Sequence, residues 1–143
     1  MKYLIRFNES NVVTEESLLS FSQENLAFLL DDARFKLVVE ISEVAEYSVI
    51  FSCNRGSSSA GHYDNDYLRG YFTYEEIKDD FIPFLIMLED RYGSKIFKNV
   101  NVRTRLSGYW ESIAFKDLMN DTIKTTCEKI GYWWNAISIE IDE

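Results

Sequence analysis

Polar and apolar residues change period repeatedly along this chain, and each change marks an element. Tyr3, Ile5 and Phe7 face one way in residues 2 to 7, which predicts a short strand. From Thr14 the period lengthens. Thr14 is a good N-cap with Glu15 and Glu16 in the favourable first turn, and Leu18, Leu19, Leu26, Leu29 and Leu30 carry a helix to about Ala33. Leu37, Val39 and Ile41 then alternate with Val38 and Glu40, and Tyr47, Val49, Phe51 and Cys53 alternate with Ser48, Ile50 and Ser52, giving two strands.

Residues 54 to 66, NRGSSSAGHYDND, have no apolar period and predict a mobile loop leading to a third strand around Tyr67 to Phe72. Thr73 and Glu76 form a capping box for a second long helix. Its apolar positions Ile77, Phe81, Phe84, Leu85, Leu88 and Tyr92 share a face that Ile82, Ile86 and Met87 widen, so this helix is expected to be the most buried. Pro83 removes the hydrogen bond toward Asp79 and predicts a kink or break.

Val100, Val102, Thr104 and Leu106 alternate against Asn99, Asn101, Arg103 and Arg105, the cleanest strand pattern in the chain. Ser107-Gly108 suits a hairpin turn into a strand from Tyr109 to Ile113. Phe115, Leu118, Met119, Ile123, Cys127 and Ile130 predict a third helix ended by Gly131. A closing strand places Trp133, Ile137, Ile139 and Ile141 inward and Ser138, Glu140 and Asp142 outward, with Trp134 opposite Trp133. The expected class is α+β: a mostly antiparallel sheet of about five to six strands with three helices packed on one face. With no repeat and no linker, residues 1 to 143 read as a single domain.

Composition changes this picture in two ways. A 46% hydrophobic, 15% aromatic chain has ample material for a core, and at this size about 68–70% of the unfolded surface is buried on folding. The formal net charge is −9, yet the segment 91 to 110 carries five basic residues (Arg91, Lys95, Lys98, Arg103, Arg105) and no acidic one. An acidic balance disfavours direct nucleic-acid binding and anionic membranes and favours solubility, a basic protein partner or mimicry of nucleic acid. No apolar run approaches the roughly 18 to 20 residues that span a bilayer, and the interrupted apolar start is no secretion signal. The expected location is the cytoplasm, that of the host for a viral protein, or the virion. Cys53 and Cys127 sit in apolar settings and are expected to be reduced core thiols.

Candidate chemistry is sparse. His62-x-Asp64-x-Asp66 puts three metal-competent side chains on one side of an extended segment, but without the closed ligand set a structural site needs, and a solvated loop tip explains the same residues. Ser57 to Ser59 lack a nucleophile elbow, and Gly56 to Gly61 lack the Lys-Ser/Thr of a phosphate loop. Paired acids such as Asp31-Asp32 point about 100° apart on a helix and do not share a site. Arg103 and Arg105 flank Asn101 as a ladder suited to phosphates or carboxylates, against the favoured reading that they pair with acids such as Glu140 and Asp142 on a neighbouring strand. Trp134 is the candidate exposed aromatic anchor. No cofactor and no enzymatic activity are expected.

The opening M-K-Y-L-I-R-F-N-E-S, with L-A-F-L-L-D-D at Leu26 to Asp32 and I-K-D-D-F-I-P-F-L at Ile77 to Leu85, resembles short accessory proteins of large tailed phages. The resemblance covers about a third of the chain and carries over no functional residue. It implies a viral accessory or virion-associated protein that acts by binding. The expected function is therefore engagement of a basic host or viral protein through an acidic surface that includes Asp31 and Asp32. The alternatives are a virion or scaffold subunit that self-assembles through the arginines and aromatics, and a metal-dependent enzyme around His62.

Overall fold

A computed structural model describes residues 13–41, 46–53, 70–96, 99–106, 109–120 and 122–142. The expected strand at 2 to 7, the loop from 54 to 66 and the turn at Ser107-Gly108 lie outside these residues. Helix α1 (Glu15–Asn25) begins at a reciprocal cap: the Ser17 amide donates to Thr14 Oγ1 at 3.0 Å and the Thr14 amide donates to Ser17 Oγ at 3.2 Å. The helix does not continue to Ala33. It stops at Leu26 and resumes as the single turn α2 (Ala27–Leu30). Next to the break, the Asn25 side chain donates to the Phe21 carbonyl at 2.8 Å, competing for the acceptor that the regular helix would use. The offset lets Leu26 and Leu29 both reach the core while Phe28 stands in solvent.

Strands β1 (Phe35–Ile41) and β2 (Tyr47–Cys53) form an antiparallel pair, and β3 (Phe72–Thr73) leads directly into helix α3 (Tyr74–Tyr92). Thr73 and Glu76 make both bonds of the capping box. Pro83 does not break α3, which runs on to Tyr92. Both Pro83 and Asp79 lie on the exposed side of the helix. Ile77, Phe81, Phe84, Leu85 and Leu88 are each at most 1% exposed, but Ile86 and Met87 lie on the outer side at 54% and 47%. The wide apolar face thus does not sink entirely.

Strands β4 (Asn99–Thr104) and β5 (Trp110–Ala114) pair antiparallel, and β6 (Trp133–Ile141) completes a six-stranded antiparallel sheet of order β1-β2-β6-β4-β5, with β3 joined to β6. The expected third helix is split. Residues 115–119 form a 3-10 turn, Asn120 is extended, and helix α4 (Ile123–Ile130) starts only afterwards. Asn120 Oδ1 accepts from the Thr122 amide at 2.9 Å, a local bond that replaces a helical turn. Gly131 ends α4 as expected; its φ of 107° favours glycine, and a Cβ there would sit a tight 3.3 Å from the Leu106 Cβ. No helix among the described residues is long and apolar enough to cross a membrane.

The class is the expected α+β. Alternate residues of the sheet, including Phe35, Val49, Phe51, Val100, Val102, Ile137 and Ile139, form the core with α1 and α3. Phe51 meets Phe72 and Phe81 at ring separations of 5.7 and 5.6 Å, and Phe81 meets Phe84 at 5.5 Å. Both cysteines are buried free thiols.

One expectation about the core is reversed. Trp134 is fully buried, whereas Trp133 is 38% exposed. The cause is a shift of register in the β4–β6 pair: Arg103 faces Ala136, but Thr104 faces Trp134, so Asn135 is an extra residue in β6. Such a bulge flips the side-chain alternation beyond it. Trp134 therefore joins the phase of Ile137 and Ile139, packs on Tyr74 at 5.4 Å, and satisfies its indole N–H on the Gly131 carbonyl at 2.9 Å.

Candidate binding surfaces

The basic segment 91–110 does not form one patch. Arg91 lies over the Phe21 ring at 4.9 Å and the Tyr92 ring at 5.6 Å, on the helical side. Strand β4 ends at Thr104, so Arg103 and Arg105 are not rungs of one ladder: they line two different depressions. Lys98 is outside the described residues, as are His62, Asp64 and Asp66.

Arg103 belongs to the face of the sheet opposite the helices. Strand registers place Lys36, Ser52, Ala136, Arg103 and Trp110 in one row across five strands, and Val38, Ile50, Ser138, Asn101 and Ser112 in the next. Small side chains on the central strands leave a depression of about 500 Å³, lined by Lys36, Val38, Glu40, Ile50, Ser52, Arg103, Trp110 and Asn135 among others. Among the described residues Arg103 forms no ion pair with the strand acids expected to meet it. Glu140 instead accepts from Asn101 Nδ2 at 3.3 Å, and the Asp142 backbone amide donates to the Lys95 carbonyl. Arg103 donates Nε to Asn135 Oδ1 at 3.0 Å, donates a second N–H to the same oxygen, and lies 5.1 Å from the Trp110 ring. Asn135 is only 4% exposed and donates its own Nδ2 to the Gly70 carbonyl at 2.8 Å. Nothing in the local sequence marks Asn135, because its place follows from the bulge.

Arg105 lines the second depression, about 430 Å³, with Leu106, Gly131, Tyr132 and Trp133. Leu106, Tyr109 and Tyr132 are more than half exposed. The exposed tryptophan expected at Trp134 is thus Trp133, displaced one position by the bulge.

The helical layer has a different character. Residues 15–34 and 74–92 contain eleven acidic side chains against three basic ones. Asp31 and Asp32 stand exposed after α2, where Asp32 accepts from the Arg34 amide at 2.9 Å and lies 3.8 Å from the Arg34 guanidinium. Arg34 also pairs with Glu76 at 2.9 Å. Exposed Phe28, Ile86 and Met87 sit within this acidic layer.

The nucleophilic groups of the interior are silenced by their surroundings. Burial pushes the Cys53 thiol up to about 11, with Arg34 opposing, and the Cys127 thiol also up to about 11. Burial likewise raises the Tyr74 hydroxyl, which donates to the Leu118 carbonyl at 2.8 Å. Among the described residues no group of three His, Cys, Asp or Glu side chains is placed to hold a metal ion. No family model, curated protein or solved structure matches the chain.

Proposed function

We propose that the protein works by binding, as an accessory protein of the tailed-phage type that engages a basic host or viral protein through its acidic helical layer. The observation that carries this reading is the excess of eleven acidic over three basic residues in 15–34 and 74–92, combined with exposed apolar side chains at Phe28, Ile86 and Met87. Opposite charge steers encounter and selects the partner, while apolar contacts retain it. Immobilised protein should retain basic proteins from a cell extract at low salt and release most of them at about 0.5 M, where screening acts within a few ångströms. The charge-reversed pair Asp31→Lys and Asp79→Lys should retain far less. Retention indifferent to both salt and charge reversal sinks the proposal.

Self-assembly is the second reading, favoured by the exposed Leu106, Tyr132 and Trp133 around Arg105, a composition typical of interface centres. Sedimentation over a range of concentrations tests it. A mass that rises with concentration in the wild type and stays constant in Trp133→Ala supports assembly through this patch; a constant mass in both removes it.

A further inference from the structure

The depression on the open face of the sheet is built differently from either surface above. Its centre is Arg103, whose orientation is fixed from behind. Asn135 is nearly inaccessible and spends its Nδ2 donor on the Gly70 carbonyl, so its Oδ1 is left to accept from Arg103. Because Asn135 belongs to β6, this bond holds the guanidinium toward the middle of the sheet, while the Trp110 ring of the outer strand β5 lies 5.1 Å from it. One edge of the guanidinium is thereby used, and the remaining N–H groups have no carboxylate partner among the described residues. An arginine fork oriented in this way suits recognition of a tetrahedral or planar oxyanion.

A second cation faces it. Lys36 stands in the same cross-sheet row on β1, three strand spacings or about 14 Å away at the backbone. Two long side chains and one phosphate close such a gap. Ser52 lies in the row between them, leaving open floor and a hydroxyl. Along β1, Glu40 lines the same depression about 13 Å from Lys36. The site therefore has a cationic end and an anionic end, and its volume of about 500 Å³ is in the range of small-molecule sites.

We infer that this depression binds a small phosphorylated molecule whose far end carries hydrogen-bond donors, the chemistry shared by nucleoside monophosphates and amino-sugar phosphates. Arg103 and Lys36 hold the phosphate, and Glu40 accepts from the donor end. The site lies away from the acidic helical layer, so its success or failure is independent of the proposal made for that layer.

Titration calorimetry of the full chain tests the inference with adenosine monophosphate, glucosamine 6-phosphate, inorganic phosphate and unphosphorylated adenosine as probes. At least one of the two phosphorylated compounds should bind with a dissociation constant below about 1 mM and adenosine should not. Arg103→Ala should weaken binding about tenfold or more, and Arg103→Lys should also weaken it, because a lysine cannot reproduce the fork. Lys36→Ala and Glu40→Gln lie on exposed positions and keep the test valid should Arg103→Ala fail to fold. Glu40→Gln should weaken the larger probes and leave inorganic phosphate unaffected or tighter. The tighter of the two phosphorylated compounds identifies the body of the ligand. Absence of binding by every phosphorylated probe at about 10 mM, or binding untouched by Lys36→Ala and both Arg103 variants, overturns it.

Discussion

The two faces of the sheet use alternate residues of the same strands and reach opposite ends. On the helical face, Phe51, Val102, Ile137 and Ile139 are sealed by α1 and α3 to 1% exposure or less. On the other, only Ser52 and Ala136 stand between Lys36 and Arg103 in their row, with Ile50 and Ser138 in the next. The first face is determined by volume, so its residues are set by what packs against them. The second is determined by the order of charges along rows, which depends on register. Substitutions on the first should therefore hurt stability, and those on the second should alter only recognition.

The largest expected effects lie on the sealed face. Phe84→Ala and Trp134→Ala should each cost about 3–5 kcal/mol in chemical denaturation, since both side chains are at most 1% exposed. Trp133→Ala, one position away and partly exposed, should cost much less than Trp134→Ala. Equal losses at the two tryptophans would mean that the bulge at Asn135 does not set the phase of β6.

Next comes the pH response of the sealed interior. Cys53 and Cys127 are each raised from an ordinary 9.0 to about 11, so the folded state holds neutral thiols while the unfolded chain ionises first. Their contribution is fully present below pH 9 and should be lost as pH rises from about 9 to about 11. Native protein at pH 8 should react with a thiol reagent far more slowly than denatured protein. Fast native labelling, or stability unchanged across that alkaline window, would contradict the burial of these thiols.

A smaller effect is expected at the helix boundary. Thr73→Ala removes the acceptor for the Glu76 amide and should cost about 1 kcal/mol. The smallest belongs to the open face and the acidic layer. Val38→Ala and Asp79→Lys, both exposed, should change stability by no more than about 0.5 kcal/mol. A large loss at Val38 would show that the open face is a second packing surface, no different in kind from the helical face.

Much of the fold is legible in the chain because period and capping are local properties. Strands β1, β2 and β4 follow their alternation, and Thr73 with Glu76 starts α3 as a capping box should. The misses come from single polar residues that act on the backbone. Asn25 sits at the break between α1 and α2, Asn120 divides the third helix, and Asn135 flips the two tryptophans. An asparagine in a sequence does not announce whether its amide will bond its own backbone, a neighbour or water. The candidate site was half visible for a related reason. Arg103 stands out as a basic residue on a clear strand, but Lys36 and Asn135 join it only through pairings across distant segments.

The central position of β6 also governs the order in which the sheet can assemble. β1–β2 and β4–β5 are hairpins of neighbouring segments and can form locally, yet neither touches the other without β6, which follows both in the chain. Tyr47 must find Ile141, a closure far costlier in entropy than either hairpin turn. Until that closure happens, β2 and β4 each present an unpaired edge. During synthesis and refolding the protein therefore passes through a stage with two open strand edges beyond those of the finished sheet, and its yield should depend on how quickly β6 arrives to fill the gap between them.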